Sequence, residues 1–267
     1  MDLVSWKYNG GSLFCTLENY IPQYGKFYFR SNKKNELLFN IELKKHSEDW
    51  SKSALFSHSA PWVNDAEQKL ISNDAAITKN EISFSNNSKI LLNAIAEGNW
   101  LKIAASGSNA SGSAEYLIPL IRFQEALSEF KQCAAGLPEM SFAEARDADI
   151  YFKSGQSTLS AAQRKYIRAL HSYLIADARI DKVLIDGHTD STGDSVTNLK
   201  ISRQRAKLVA RELRKLGVNE KKIELRAHGS RYPVLTNVTK AGRAKNRRVT
   251  VRLVRDNENV MPAIYSK

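Results

Sequence analysis

Residues 183–206 read Val183-Leu184-Ile185-Asp186-Gly187-His188-Thr189-Asp190-Ser191-Thr192-Gly193-Asp194-Ser195-Val196-Thr197-Asn198-Leu199-Lys200-Ile201-Ser202-Arg203-Gln204-Arg205-Ala206. The apolar run at 183–185 predicts a buried strand. Gly187 and Gly193, with Asp190, Ser191 and Asp194, predict a loop. Asn198 reads as an N-cap. Beyond Ser202, the positions Ala206, Val209, Leu213 and Leu216 repeat at helical spacing, and Gly217 closes the helix as a C′ residue. A carboxylate, Asp190, therefore leaves a strand end while a guanidinium, Arg205, sits near the start of the next helix. An acceptor pair facing a planar five-donor fork suits a zwitterion, with its ammonium on Asp190 and its carboxylate on Arg205. An ordinary salt bridge or loop cap is the plainer alternative, and the residues alone leave both open.

Outward from this stretch the pattern continues on both sides. Residues 150–152 read as a strand, 153–158 as a loop, and 160–175 as a helix with Tyr166, Ile167, Leu170 and Leu174 on its apolar stripe. Strand 182–186, helix 198–216, strand 222–227, a long loop and strand 249–254 follow. This βαβαβ-loop-β order predicts an α/β sandwich, one sheet with two helices on one face. Residues 137–147, with Pro138, Glu139, Glu144 and Asp147, read as a junction.

The first 145 residues are β-rich. Leu13, Cys15 and Leu17 alternate, 21–25 is a turn signal, Lys26-Phe27-Tyr28-Phe29 follows, and Leu37, Phe39, Ile41 and Leu43 alternate cleanly. Residues 46–64 read as loop, 81–84, 100–105 and 116–121 as short strands, and 106–113 as a small-polar loop or hairpin tip. Residues 89–96 fit helix and strand equally. Phe123, Ala126, Leu127 and Phe130 form a helical stripe ending near Cys133 and Gly136. The expected class is α+β: a β-rich domain at 1–145, the α/β sandwich at 146–258 and a frayed tail at 259–267.

Charge divides the chain in the same sense. The net charge is +12, but residues 191–267 hold 19 Lys and Arg against 6 Asp and Glu, while the first 190 hold 21 against 22. The basic part favours anionic partners. Nucleic acid is the rival on charge alone, since Arg203, Arg205, Lys207, Arg211, Arg214 and Lys215 share one helix with Lys221 and Lys222 just beyond. No aromatic platform interleaves with them, and no nucleic-acid-binding motif stands out. Catalysis is disfavoured: His188, Asp190 and Ser191 lie within four consecutive residues, too close to make both hydrogen bonds of a triad. The five histidines form no i, i+4 pair, so metal binding is disfavoured too. No cofactor motif is present. No apolar run reaches 18 residues, so no membrane span is expected. Cys15 and Cys133 form no CxxC and are either buried thiols or one disulfide.

Two resemblances sharpen these readings. Residues 187–193, Asn198, Ile201-Ser202-x-x-Arg205-Ala206 and Asn246-Arg247-Arg248-Val249 together resemble the OmpA-like peptidoglycan-binding domain. That resemblance implies that Asp190 and Arg205 grip the diaminopimelate of the peptidoglycan stem peptide, with support from Thr189, Asn198 and Arg247. Lys153 departs from the family, which often has Asp there. Trp6, Cys15 with Leu17, Ile21-Pro22-x-Tyr24-Gly25, Phe29, the 37–43 strand, Ala60-Pro61-Trp62, and Phe130-x-x-Cys133 leading to Ser141-Phe142 resemble the MotY N-terminal domain. The MotY resemblance implies a Cys15–Cys133 disulfide in an oxidising periplasm. It also implies a non-catalytic component of a sodium-driven flagellar motor of the T-ring type. Its expected partners are peptidoglycan, the basal body, a MotX-like protein and the stator B subunit, and its expected role is stator placement. A signal peptide removed ahead of this chain, with Met1 as an added residue, is expected on the same ground. A generic OmpA-family wall tether with another N-terminal partner is the alternative.

Overall fold

The structure is a computed structural model that describes residues 5–44, 50–60, 62–63, 67–78, 81–107, 113–120 and 123–258. The expectations for Met1, Pro61, the 108–112 part of the small-polar loop and the 259–267 tail lie outside the described residues. The chain divides into two compact units, Met1–Leu137 and Pro138–Lys267.

The first unit contains β1 (Lys7–Gly10), β2 (Cys15–Ile21), β3 (Gly25–Ser31), β4 (Leu38–Leu43), β5 (Trp50–His58), β6 (Gln68–Ser72), β7 (Ala75–Ile77), β8 (Glu81–Phe84), α1 (Ser88–Ala96), β9 (Trp100–Gly107), β10 (Ala114–Ile118) and α2 (Gln124–Gly136). Its two antiparallel sheets run β1-β2-β3-β4-β8-β7 and β10-β9-β5-β6. Period-two burial explains the first sheet: Cys15, Leu17 and Ile21 point inward from β2, Phe27 and Phe29 from β3, Phe39, Ile41 and Leu43 from β4. Phe29 lies directly across from Phe39 with ring centroids 4.8 Å apart, an aromatic pair that stabilises the register. Both sheets and the two helices feed one hydrophobic cluster, which also holds Leu55, Leu101, Ile103, Leu91, Ile95 and Phe130. The ambiguous 89–96 stretch is helical because Ser88, Leu91, Leu92 and Ile95 share one buried face. A disulfide joins Cys15 on β2 to Cys133 on α2.

Residues 46–64, read as loop, are corrected over Trp50–His58, where β5 lies between β9 and β6. Its inward positions are Trp50, Ser53, Leu55 and Ser57. Serine at two of the four erases the apolar alternation, while Ser53 Oγ satisfies itself on the Ala104 carbonyl at 3.1 Å.

The second unit opens with α3 (Phe142–Ala145), inside what reads as a junction. Ser141 and Glu144 form a capping box, the Glu139 N–H donates to Ser172 Oγ at 2.8 Å, and the Arg255 guanidinium lies 3.4 Å from the Phe142 ring centroid. Then come β11 (Asp147–Tyr151), α4 (Ala161–Ala176), β12 (Ile180–His188), α5 (Ser195–Lys215), a 3-10 turn Glu220–Lys222, β13 (Ile223–Gly229), α6 (Lys240–Asn246) and β14 (Arg248–Arg255). The sheet order is β11-β14-β12-β13, with β12 and β13 parallel and the other pairs antiparallel. Val249, Val251 and Leu253 of β14 stand beside Gly187, Ile185 and Val183 of β12. Ile167, Leu170 and Leu174 of α4 and Ala206, Val209, Ala210 and Leu213 of α5 are buried with them. Gly187 sets the distance of α5: a Cβ there would collide with the Ser202 carbonyl, so helix and strand meet backbone to backbone.

Two local expectations are corrected. The N-cap of α5 is Asp194, which accepts from the Thr197 N–H at 2.8 Å, and Asn198 lies inside the helix. The long loop before β14 contains α6, whose only buried residues are Gly242 and Asn246, so it has no apolar stripe to betray it. No helix among the described residues is long and apolar enough to cross a membrane.

Candidate functional site

The end of β12, the first half of α5, the turn after β11 and the start of β14 converge; Arg205 lies midway along α5 rather than near its start, because the helix begins at Ser195. Thr189 is fixed by its N–H on the Gly229 carbonyl at 2.9 Å. Asp190 follows, 7% exposed, with Oδ1 accepting the Thr192 N–H at 3.1 Å and Oδ2 accepting Arg247 Nη1 at 2.7 Å. Arg247 is itself held, since its Nε donates to the Phe152 carbonyl at 3.1 Å while the Phe152 N–H donates to the Arg247 carbonyl at 2.8 Å. Burial works against a charged carboxylate at 190, but the Arg247 hydrogen bond and the Thr192 N–H outweigh it and hold the group below the usual range.

Arg205 is 3% exposed. Its guanidinium lies 5.1 Å from the Phe152 ring centroid, and its Nη2 donates to the Lys153 carbonyl at a long 3.3 Å. Nε and Nη1 are buried without a partner among the described residues, as is Thr189 Oγ1. Burial and then the Arg247 charge push the Arg205 pKa down, and Asp190 partly offsets them. Asn198 braces the loop by donating from Nδ2 to the Thr192 carbonyl at 3.0 Å.

The five expected residues thus occupy one neighbourhood, with an arrangement the sequence did not specify. Asp190 is bonded directly to Arg247, and Arg205 lies beyond that pair with unmet donors. Thr192, Phe152, the Lys153 backbone, Asn237 and Asn246 also build the site. Asn237 Oδ1 accepts the Ser191 N–H at 3.2 Å and an Asn246 Nδ2 hydrogen at 2.9 Å. Asn246 Oδ1 accepts the Val234 and Leu235 N–H groups at 2.9 and 3.1 Å. A lone asparagine in a polar loop gives no periodic signal, which hides Asn237.

His188 points elsewhere. It is buried, its ring stacks on His228 at 4.9 Å, and its Nδ1 has no partner among the described residues. Burial, then Arg248 and His228, pull its pKa down to about 4. Asp190 is engaged by Arg247 rather than by His188, and Ser191 is exposed.

The two halves match two families. Residues 1–138 match the MotY N-terminal domain. The chain belongs to the MotY family. Residues 151–247 match the OmpA family, so an OmpA-family domain follows the MotY half. The sodium-type flagellar protein MotY of Vibrio parahaemolyticus is 25% identical over 247 residues, 91% of this chain and 84% of that protein. The outer-membrane lipoprotein YfiB of Pseudomonas aeruginosa is 38% identical over 102 residues, 38% of this chain and 60% of that protein. Among solved structures, the peptidoglycan-associated lipoprotein of Burkholderia pseudomallei is 28% identical, over 40% of this chain and 89% of that one, with a TM-score of 0.38.

Proposed function

We propose that the second unit holds peptidoglycan by the zwitterionic end of a diaminopimelate side chain. The observation that carries this is Arg205: a buried guanidinium with two N–H positions unmet, beside a carboxylate held ionised. An unpaired buried charge costs several kcal/mol, and a carboxylate ligand removes that cost through bidentate pairing. The ammonium goes to Asp190, whose oxygens each keep a lone pair after bonding Arg247 and Thr192. Thr189, Asn198 and Arg247 hold Asp190 and its loop in place. Arg205 Nε and Nη1 are closed to solvent, so entry requires the turn at 153–156 to move, and the long bond to the Lys153 carbonyl is the contact it gives up.

On the whole chain we read a periplasmic, non-catalytic flagellar component of the T-ring type in a sodium-driven motor. The MotY half docks on the basal body beside a MotX-like protein, and the OmpA half ties it to the wall where it helps place stator units. Asp190→Ala and Arg205→Ala should each abolish pull-down by purified sacculi with circular dichroism unchanged; undiminished pull-down by both rejects the site. A fluorescent fusion should gather at flagellar bases, and an even envelope signal supports the generic tether instead.

A further inference from the structure

We propose that the outward face of α5 is a second wall-binding surface, a row of free cations that takes carboxylates of the same polymer held at Asp190 and Arg205. It rests on the wall reading above and adds a surface to it. Lys200, Arg203, Lys207 and Arg211 recur at i, i+3, i+7 and i+11, one stripe about 16 Å long. All four are exposed, and none makes an ion pair among the described residues.

Other cations of the unit are also unpaired among the described residues, but these four line up on one helix face, whereas several arginines elsewhere are neutralised. Arg164 pairs with Glu212, Arg179 and Arg255 with Asp177, Arg226 with Glu224, and Arg252 with Asp147. On α5 itself the next stripe residue, Arg214, pairs with Glu220. The single carboxylate of α5, Glu212, is turned to Arg164 on α4. Lys200 to Arg211 is therefore unneutralised, although like charges four residues apart cost a helix a few tenths of a kcal/mol per pair. No ion pair among the described residues offsets that cost, whereas an external polyanion does.

The composition of the face selects the polyanion. A membrane-surface helix needs a free apolar side. The apolar side of α5, Ala206, Val209, Ala210 and Leu213, is spent on the sheet. Single-stranded nucleic acid needs aromatic side chains for stacking, and α5 has none. A flexible, carboxylate-bearing polymer needs only charge at regular intervals, which this row supplies.

The test is sedimentation of the full chain with sacculi over a range of salt. Exposed-charge attraction is screened by salt and a preformed pocket much less. Wild-type retention should fall roughly tenfold as salt rises, then level off at the contribution of the pocket. The variant Lys200→Gln/Arg203→Gln/Lys207→Gln/Arg211→Gln keeps good helix formers on an exposed face. It should start near the wild-type plateau and stay flat. A control, Lys165→Gln/Arg168→Gln/Lys182→Gln/Lys221→Gln, removes the same charge from elsewhere in the unit and should keep the wild-type salt response. A wild-type slope in the first variant, or an equal loss in the control, overturns the proposal. Stripe-dependent capture by phosphatidylglycerol vesicles without stripe-dependent capture by sacculi also overturns it. Asp190→Ala in the same assay should lose the plateau and keep the salt-sensitive part. An intact plateau there removes the pocket reading and leaves the stripe to be judged on its slope.

Discussion

At the residue scale, the site depends on a few side chains whose alternatives are costly. Arg205→Lys keeps the charge but loses the planar fork. Sacculus binding should drop at least tenfold with little change in melting temperature, and binding isotherms of the two proteins measure this. Asn246 is fully buried and serves the Val234 and Leu235 N–H groups and the Leu235 carbonyl. Asn246→Ala should cost about 1–3 kcal/mol in urea unfolding for each backbone group left unsatisfied. His188 gives a pH prediction. Its folded pKa, about 4, lies below the ordinary 6.5, so the folded state favours the neutral ring. Its neutral-state contribution is complete above 6.5, and about 3 kcal/mol is lost as pH falls towards 4. Melting curves over that range should show the loss in wild type and a reduced loss in His188→Phe.

At the element scale, α3 is the least expected piece. Residues 137–147 have the polar look of a junction, yet Phe142 lies against Tyr173 and Arg255. The second unit therefore starts at Pro138. A chain beginning at Pro138 should fold and bind sacculi, and one beginning at Asp147 should melt several degrees lower, because it loses Phe142 and the capping box. Equal melting temperatures reject this role for α3. Elements with apolar faces, such as β2, β4, α2, α4 and α5, were legible because burial imprints a period of 2 or 3.6 on the sequence. β5 and α6 were not, since serines and an asparagine occupy their inward positions and hydrogen bonds replace apolar burial there.

At the scale of the whole molecule, the disulfide closes a sequence separation of 118 residues. The chain-entropy account gives such a closure about 4–5 kcal/mol. All four tryptophans, Trp6, Trp50, Trp62 and Trp100, belong to the first unit. Tryptophan fluorescence in urea therefore reports that unit alone. Cys15→Ser/Cys133→Ser should shift this transition by that amount and leave sacculus binding intact. An unshifted transition means that the core holds without the bridge.

Alternation, helical spacing and glycine punctuation are local, so they specify the α+β class, the β-rich half and the βαβαβ-loop-β half before any tertiary contact is known. Asp190 and Arg205 stood out as a carboxylate and a guanidinium on neighbouring elements, whereas Thr189, Asn198 and Arg247 came only with the OmpA-like resemblance. The folded chain, not any local pattern, makes Asp190 bond Arg247 while Arg205, beside Phe152, keeps donors unmet among the described residues. Which of two arginines reaches a carboxylate depends on where strands from distant parts of the chain end. Asp190 and Arg247 are 57 residues apart in sequence, and no local pattern fixes a distance across that span.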